Sequence, residues 1–180
     1  MIRHHLLIAG TGRAGTSLLV RILTACGLDT DLARHPDSPW DETASAGLEN
    51  IPLLPGKNPY VVKSPWSYQF IRQLLDDPTI QLDAVIVPIR RLEEAATSRI
   101  IVEIQQMYRS QPFLLELADR WTEWGATLGG LTYSLQPLDA ARILAHSFHR
   151  LIEALVQREI PLHFLAFPRF CTDLEYSGGC

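Results

Sequence analysis

Residues 10–17, Gly-Thr-Gly-Arg-Ala-Gly-Thr-Ser, stand between a short apolar run, Leu6–Ala9, and a segment with apolar residues at helical spacing: Leu18, Leu19, Ile22, Leu23 and Cys26. This succession of strand, Gly-rich turn and helix constrains the chain more than any other feature. A short apolar run that stops at a glycine suits a parallel strand buried on both faces. The turn then presents several backbone N–H groups at a helix N-terminus, where the helix dipole adds partial positive charge. Gly10, Gly12 and Gly15 permit the tight turn and a close approach of backbone to an anion. Thr16 and Ser17 add hydroxyl donors, and Arg13 adds a permanent charge on a planar fork. The loop is therefore expected to cradle a phosphorylated, nucleotide-like ligand.

Strand and helix signals continue to alternate downstream. Tyr60–Val62, Asp83–Ile89 and Pro161–Phe167 read as strands. Helices are expected from Ser64-Pro65 through Leu75, from Leu92 to about Tyr108, from Phe113 to about Thr127, and from Leu138 to Arg158. Alternation of this kind predicts an α/β fold, a three-layer parallel sheet with helices on both faces, and the Gly-rich turn after the first strand makes the expected architecture P-loop nucleotide-binding-like. The 180 residues are expected to form one domain. Residues 29–59 carry five prolines and read as a long functional loop, with one short helix near Thr43–Leu48. Residues 172–180 read as a frayed tail. Cys26 is expected in the core, and Cys26, Cys171 and Cys180 are expected as thiols rather than disulfides.

In open parallel sheets, ligands bind beyond the C-terminal ends of the strands. The loops there each carry a basic residue: Arg13, Lys63, Arg90 with Arg91, and Arg169. The chain as a whole has net charge −4, with 16 basic and 20 acidic residues. That balance argues against a general nucleic-acid binder, which needs a clustered cationic excess. A small anionic ligand needs only a few local charges. No apolar run approaches a membrane span, and the N-terminal run is too short for a signal peptide, so a cytoplasmic, membrane-free protein is expected.

The spacing Gly10-x-x-x-x-Gly15-Thr16-Ser17 matches the nucleoside-triphosphatase P-loop except that Thr16 replaces the lysine that reaches the terminal phosphates. The strand ending Val87-Pro88-Ile89-Arg90 also lacks a terminal Asp for magnesium. The basic residue has moved to Arg13. Arg13-Ala14-Gly15-Thr16-Ser17 resembles the 5′-phosphosulfate loop of sulfotransferases. Ile89-Arg90 through Ser98, with Arg and Ser eight residues apart, resembles that family's 3′-phosphate motif. Val62-Lys63-Ser64-Pro65 is similar to its Lys-Ser/Thr-Pro element. Phe167-Pro168-Arg169-Phe170, with Asp173 and Tyr176, looks like the end of bacterial members.

The resemblance implies a small bacterial-type sulfotransferase using 3′-phosphoadenosine 5′-phosphosulfate (PAPS) as donor, with no metal. The acceptor would be a hydroxyl or amine of a small molecule or carbohydrate. Gly12, Arg13, Ala14, Gly15, Thr16, Ser17, Arg90 and Ser98 are the expected donor contacts. Arg13 and Lys63 are expected to stabilise the leaving phosphate oxygen. Pro65 stands where cytosolic members place a His base. A carboxylate from the segment after the first helix is expected instead, Glu42 first and Asp41 second, with His35 a weaker candidate. Asp41 has an alternative role as a helix cap. Two alternatives stay open at the sequence level: a P-loop kinase or other nucleotide-binding enzyme, and a catalytically degenerate sulfotransferase-like binding protein. His146 and His149 read as helix surface, Trp121 and Trp124 as helical packing or acceptor-pocket lining. Trp66 and Tyr68 are candidates to flank the adenine or the acceptor.

Overall fold

A computed structural model describes residues 2–10, 12–37, 49–53, 56, 58–110, 137–173 and 176. Among them, four strands, β1 (Arg3–Ile8), β2 (Val61–Lys63), β3 (Ile80–Ile89) and β4 (Leu162–Ala166), form one parallel sheet in the order β2-β1-β3-β4. Helices α1 (Thr16–Ala25), α2 (Asp31–Arg34), α3 (Ile71–Asp76), α4 (Leu92–Ser110), α5 (Pro137–Gln157) and α6 (Arg169–Thr172) are interleaved with them. The α/β architecture expected from the sequence is present.

The alternation of side chains along a strand divides the core. Leu7, Val62, Val85 and Val87 pack with Ile71 and Leu74 of α3 and Leu151, Ala154 and Leu155 of α5. Ile8 and Val61 point the other way, onto Leu19 and Val20 of α1 and Phe170 of α6. Residues such as Leu7, Val62 and Val85 are fully buried. Each contributes about 1.5–3 kcal/mol by leaving water. Helix α4 then packs on α5 through Ala95, Ala96, Ile100, Ala140 and Leu144, and the three alanines allow close approach.

β1 lies between β2 and β3, so the chain leaves β1 on one side and returns on the other. Its end is the topological switch point, where open α/β sheets form their ligand crevice. The Gly-rich loop sits there.

Several local expectations are corrected. The segment after β2 is not one helix from Ser64 to Leu75. Residues 67–69 form a 3-10 turn, and α3 begins only at Ile71. The Ser64 N–H donates to the Ile8 carbonyl at 2.9 Å, which extends sheet pairing past the strand and delays the helix. Within 29–59, the sequence reading missed α2 and a parallel bridge from Thr30 to Val61. Cys26 is exposed, not core. It is the C-cap residue, after which Gly27 at φ +83° turns the chain away, its N–H donating to the Thr24 carbonyl. In the C-terminal segment, Asp173 accepts from Arg169 at 3.0 Å and the Tyr176 hydroxyl accepts from the Ala166 N–H at 3.0 Å, while the rest of the expected tail beyond Asp173 lies outside the described residues. The expected helices near 43–48 and 113–127, Trp121, Trp124 and Cys180 lie outside the described residues. Among the described residues, no helix is long and apolar enough to cross a membrane.

Candidate functional site

The Gly-rich loop is held in left-handed backbone. Gly10, Gly12, Arg13 and Gly15 have φ of +127°, +72°, +57° and +81°. Gly15 caps α1 without a side-chain acceptor, so the N–H groups of the first turn are left to the loop and whatever lies before it. Arg13 is the unusual member, because a left-handed L-residue costs about 1–2 kcal/mol. Two hydrogen bonds maintain it. A terminal nitrogen of Arg90 donates to the Arg13 carbonyl at 3.2 Å, and the Arg13 Nε donates to Ser98 Oγ at 3.1 Å.

These contacts bring together Arg13, Arg90 and Ser98, whose sequence separations from Arg13 are 77 and 85. The three line one groove of about 540 Å³, with Glu93, Glu94 and Thr97 on its α4 side. Such a volume suits a small-molecule ligand. Arg90 is braced by Glu94 at 3.2 Å and lies 5.1 Å from the centre of the Phe167 ring, a cation–π distance. Burial pushes the Arg13 guanidinium below its ordinary pKa, and the charge on Arg90 adds to the shift. Two like charges are thus held together at the mouth of the groove, an arrangement that an anion relieves.

Lys63 enters from the other side. At the end of β2 it is 1% exposed, and its ammonium donates to Ser17 Oγ at 2.9 Å and pairs with Glu49 at 2.9 Å. Burial pulls its pKa below the usual value, with Arg13 acting in the same direction and Glu49 opposing them. Thr16 and Ser17 are buried on α1, and Ala14 is buried within the loop.

The expected basic residues do not all converge. Arg91 is exposed and pairs with Glu94. Arg169 pairs with Asp173 and stacks over Tyr176 at 4.4 Å, away from the groove. His35 is exposed at the end of α2. Asp41 and Glu42 lie outside the described residues. His146 is exposed, as read from the sequence, and lines a separate cavity of about 550 Å³ with Tyr68, Arg142 and Arg150. Among the described residues, no cluster of His, Cys, Asp and Glu is arranged to hold a metal ion.

Three residues of the site were not singled out by sequence reasoning. Glu49, the counter-charge of Lys63, sits in a Pro-rich stretch without periodicity. Arg99 and Glu103, both buried on α4, lie inside an ordinary helical pattern. Their four-residue spacing on one face was the available signal, but it is equally that of a solvated ion pair. No protein-family model matches the chain, and a comparison with curated proteins gives no significant match.

Proposed function

We propose that this chain is a PAPS-dependent sulfotransferase with a P-loop nucleotide-binding-like fold. The reading is carried by one observation: Arg13 of the Gly-rich loop is bonded both to Arg90, at the end of β3, and to Ser98, two turns into α4. Arg13 of the motif that resembles a 5′-phosphate binder lines the same groove as Arg90 and Ser98 of the motif that resembles a 3′-phosphate binder. The donor set fits a doubly phosphorylated nucleotide: two guanidiniums, a serine hydroxyl, a helix N-terminus and a buried ammonium.

In this reading Arg90 and Ser98 hold the 3′-phosphate. Loop N–H groups from Gly12, Ala14, Gly15 and Thr16, together with Ser17, receive the 5′ end. An acceptor oxygen forms a bond to sulfur as the sulfur–oxygen bond to the 5′-phosphate breaks, and negative charge collects on the departing phosphate oxygen. Arg13 and Lys63 supply positive charge there. Arg13 cannot give up a proton at ordinary pH, so its contribution is electrostatic. The acceptor proton passes to a carboxylate, with Glu42 the first candidate and Asp41 the second. The acceptor is a hydroxyl or amine of a small molecule or carbohydrate.

Calorimetric titration with adenosine 3′,5′-bisphosphate tests the donor site. Wild-type chain is expected to bind it, and Arg90→Ala and Ser98→Ala to lose most of that affinity while retaining adenosine 5′-phosphate binding. Glu42→Ala is expected to abolish sulfuryl transfer from PAPS and leave bisphosphate affinity unchanged. No binding at millimolar bisphosphate, or magnesium-dependent ATP hydrolysis in its place, overturns the reading.

A further inference from the structure

The buried pair on α4 is not absorbed by the roles above. Arg99 is 6% exposed and Glu103 is fully buried. Four residues apart, they share one face of the helix. Opposite charges buried near one another are a poor device for stability, since apolar residues of similar volume commonly do as well or better. Its position is more informative than its energy. A Cβ placed on Gly12 would come within 2.6 Å of a terminal nitrogen of Arg99 and 3.6 Å of the Pro65 Cβ. The guanidinium thus reaches the loop after β1 next to the loop after β2, close against Gly12. Glycine at position 12 answers two demands at once: a positive φ and room for a cation.

We propose that Arg99 is a positioning residue of the phosphate loop: a fixed positive charge set against Gly12 and offset by Glu103, it shares with Arg13 the electrostatic part of the lysine missing at position 16. The proposal rests on the anion-binding reading of the loop. Neighbouring charges agree with it. Burial pushes the Arg99 guanidinium below its ordinary pKa, Glu103 and Tyr68 oppose that shift, and the nearby Arg13 adds to it. Arg13 and Arg99 therefore repel each other across the loop, and Glu103 is the acidic neighbour that offsets this in the absence of an anion. Successive residues of α4 divide the work: Ser98 receives Arg13 in the groove, and Arg99 supports the loop behind it.

A positioning Arg99 differs from a merely structural one in the sign of its effect on the ligand. If the pair only holds α4 in place, Arg99→Met and Glu103→Gln lower the melting temperature and leave anion affinity alone, or weaken it together. If Arg99 positions and charges the loop, the two changes act oppositely on the ligand. Calorimetric titration with inorganic pyrophosphate and with adenosine 3′,5′-bisphosphate is the test. Arg99→Met is expected to weaken both at least tenfold, Arg99→Lys to recover part of the loss, and Glu103→Gln to tighten both severalfold, although Glu103→Gln lowers the melting temperature. If Arg99→Met does not fold, Arg99→Lys against Glu103→Gln reads the same opposition. Equal affinities for wild type and Arg99 variants, or parallel losses in both residues' variants, overturn the proposal and leave the donor reading standing. Failure of the wild-type chain to bind either probe removes both.

Discussion

Replacing Gly15 by alanine tests how the loop is enforced. Its φ is +81°, and an added Cβ would lie 2.8 Å from the Phe170 Cζ and 2.9 Å from a ring carbon of Phe167. Gly27 provides the internal control, with nearly the same φ, +83°, and nothing within 4 Å of an added Cβ. Both substitutions incur the left-handed cost of about 1–2 kcal/mol. Both also gain a comparable amount, about 0.4–1 kcal/mol, from a stiffer unfolded chain. Only Gly15→Ala must push two rings apart. Phe170 is buried, Phe167 meets it edge-on at 6.0 Å between centroids, and Arg90 covers Phe167. Overpacking of this kind costs about 1–3 kcal/mol. For a domain of this size that places Gly15→Ala roughly 2–12 °C below Gly27→Ala in melting temperature. Adding Phe170→Leu to Gly15→Ala should recover part of the difference. Equal melting temperatures for the two alanine variants, by calorimetry or circular dichroism, would refute the claim that aromatic packing behind Gly15 shapes the loop.

Two further outcomes are expected. Lys63 has a folded pKa below its ordinary value of 10.5, so folding disfavours its protonated form. Between that lowered pKa and 10.5 the unfolded chain binds the extra proton, and stability relative to Lys63→Met should rise with pH across this window; below it the difference is constant. Affinity for pyrophosphate should fall over the same window as the ammonium is lost, and parallel pH profiles of the two proteins would contradict the assignment. Thr30 is fully buried; its Oγ1 accepts the Ala33 N–H at 3.0 Å and meets Thr24 Oγ1 at 2.7 Å. Thr30→Ala should therefore cost about 1–2 kcal/mol, with Thr30→Ser retaining most of it, read as a lower urea midpoint at unchanged m-value.

The strands were legible because parallel strands buried on both faces are continuous apolar runs, and Leu6–Ile8 and Val85–Val87 are of that kind. The Gly-rich turn was legible because its backbone requirement is local: three of its four left-handed positions are glycines. Arg13 was read as a cation, but its own left-handed backbone was not readable, since Arg90 and Ser98 impose it from a distance. Arg99 was hidden for a related reason. Nothing in Thr97-Ser98-Arg99-Ile100 tells which polar residue is buried until Gly12 and Pro65 are placed against it. Ser64-Pro65 looked like a helix start because proline suits a first turn, but continued pairing with Ile8 decided otherwise. Cys26 looked apolar by spacing and fell on the cap, where the face it extends has already turned outward.

Phe167 and Phe170, which back Gly15, impose an order of events. A ribosome delivers residues 10–17 early, yet the rings that back Gly15 lie just after β4 and in α6, more than 150 positions beyond that glycine. During synthesis the loop's glycines emerge without that support, while β1 has first β2 and then β3 to pair with, and β4 adds later beside β3. The segment with the most recognisable sequence therefore depends for part of its packing on residues made much later. A chain released before Phe170 would carry the whole Gly-rich motif without the packing behind Gly15.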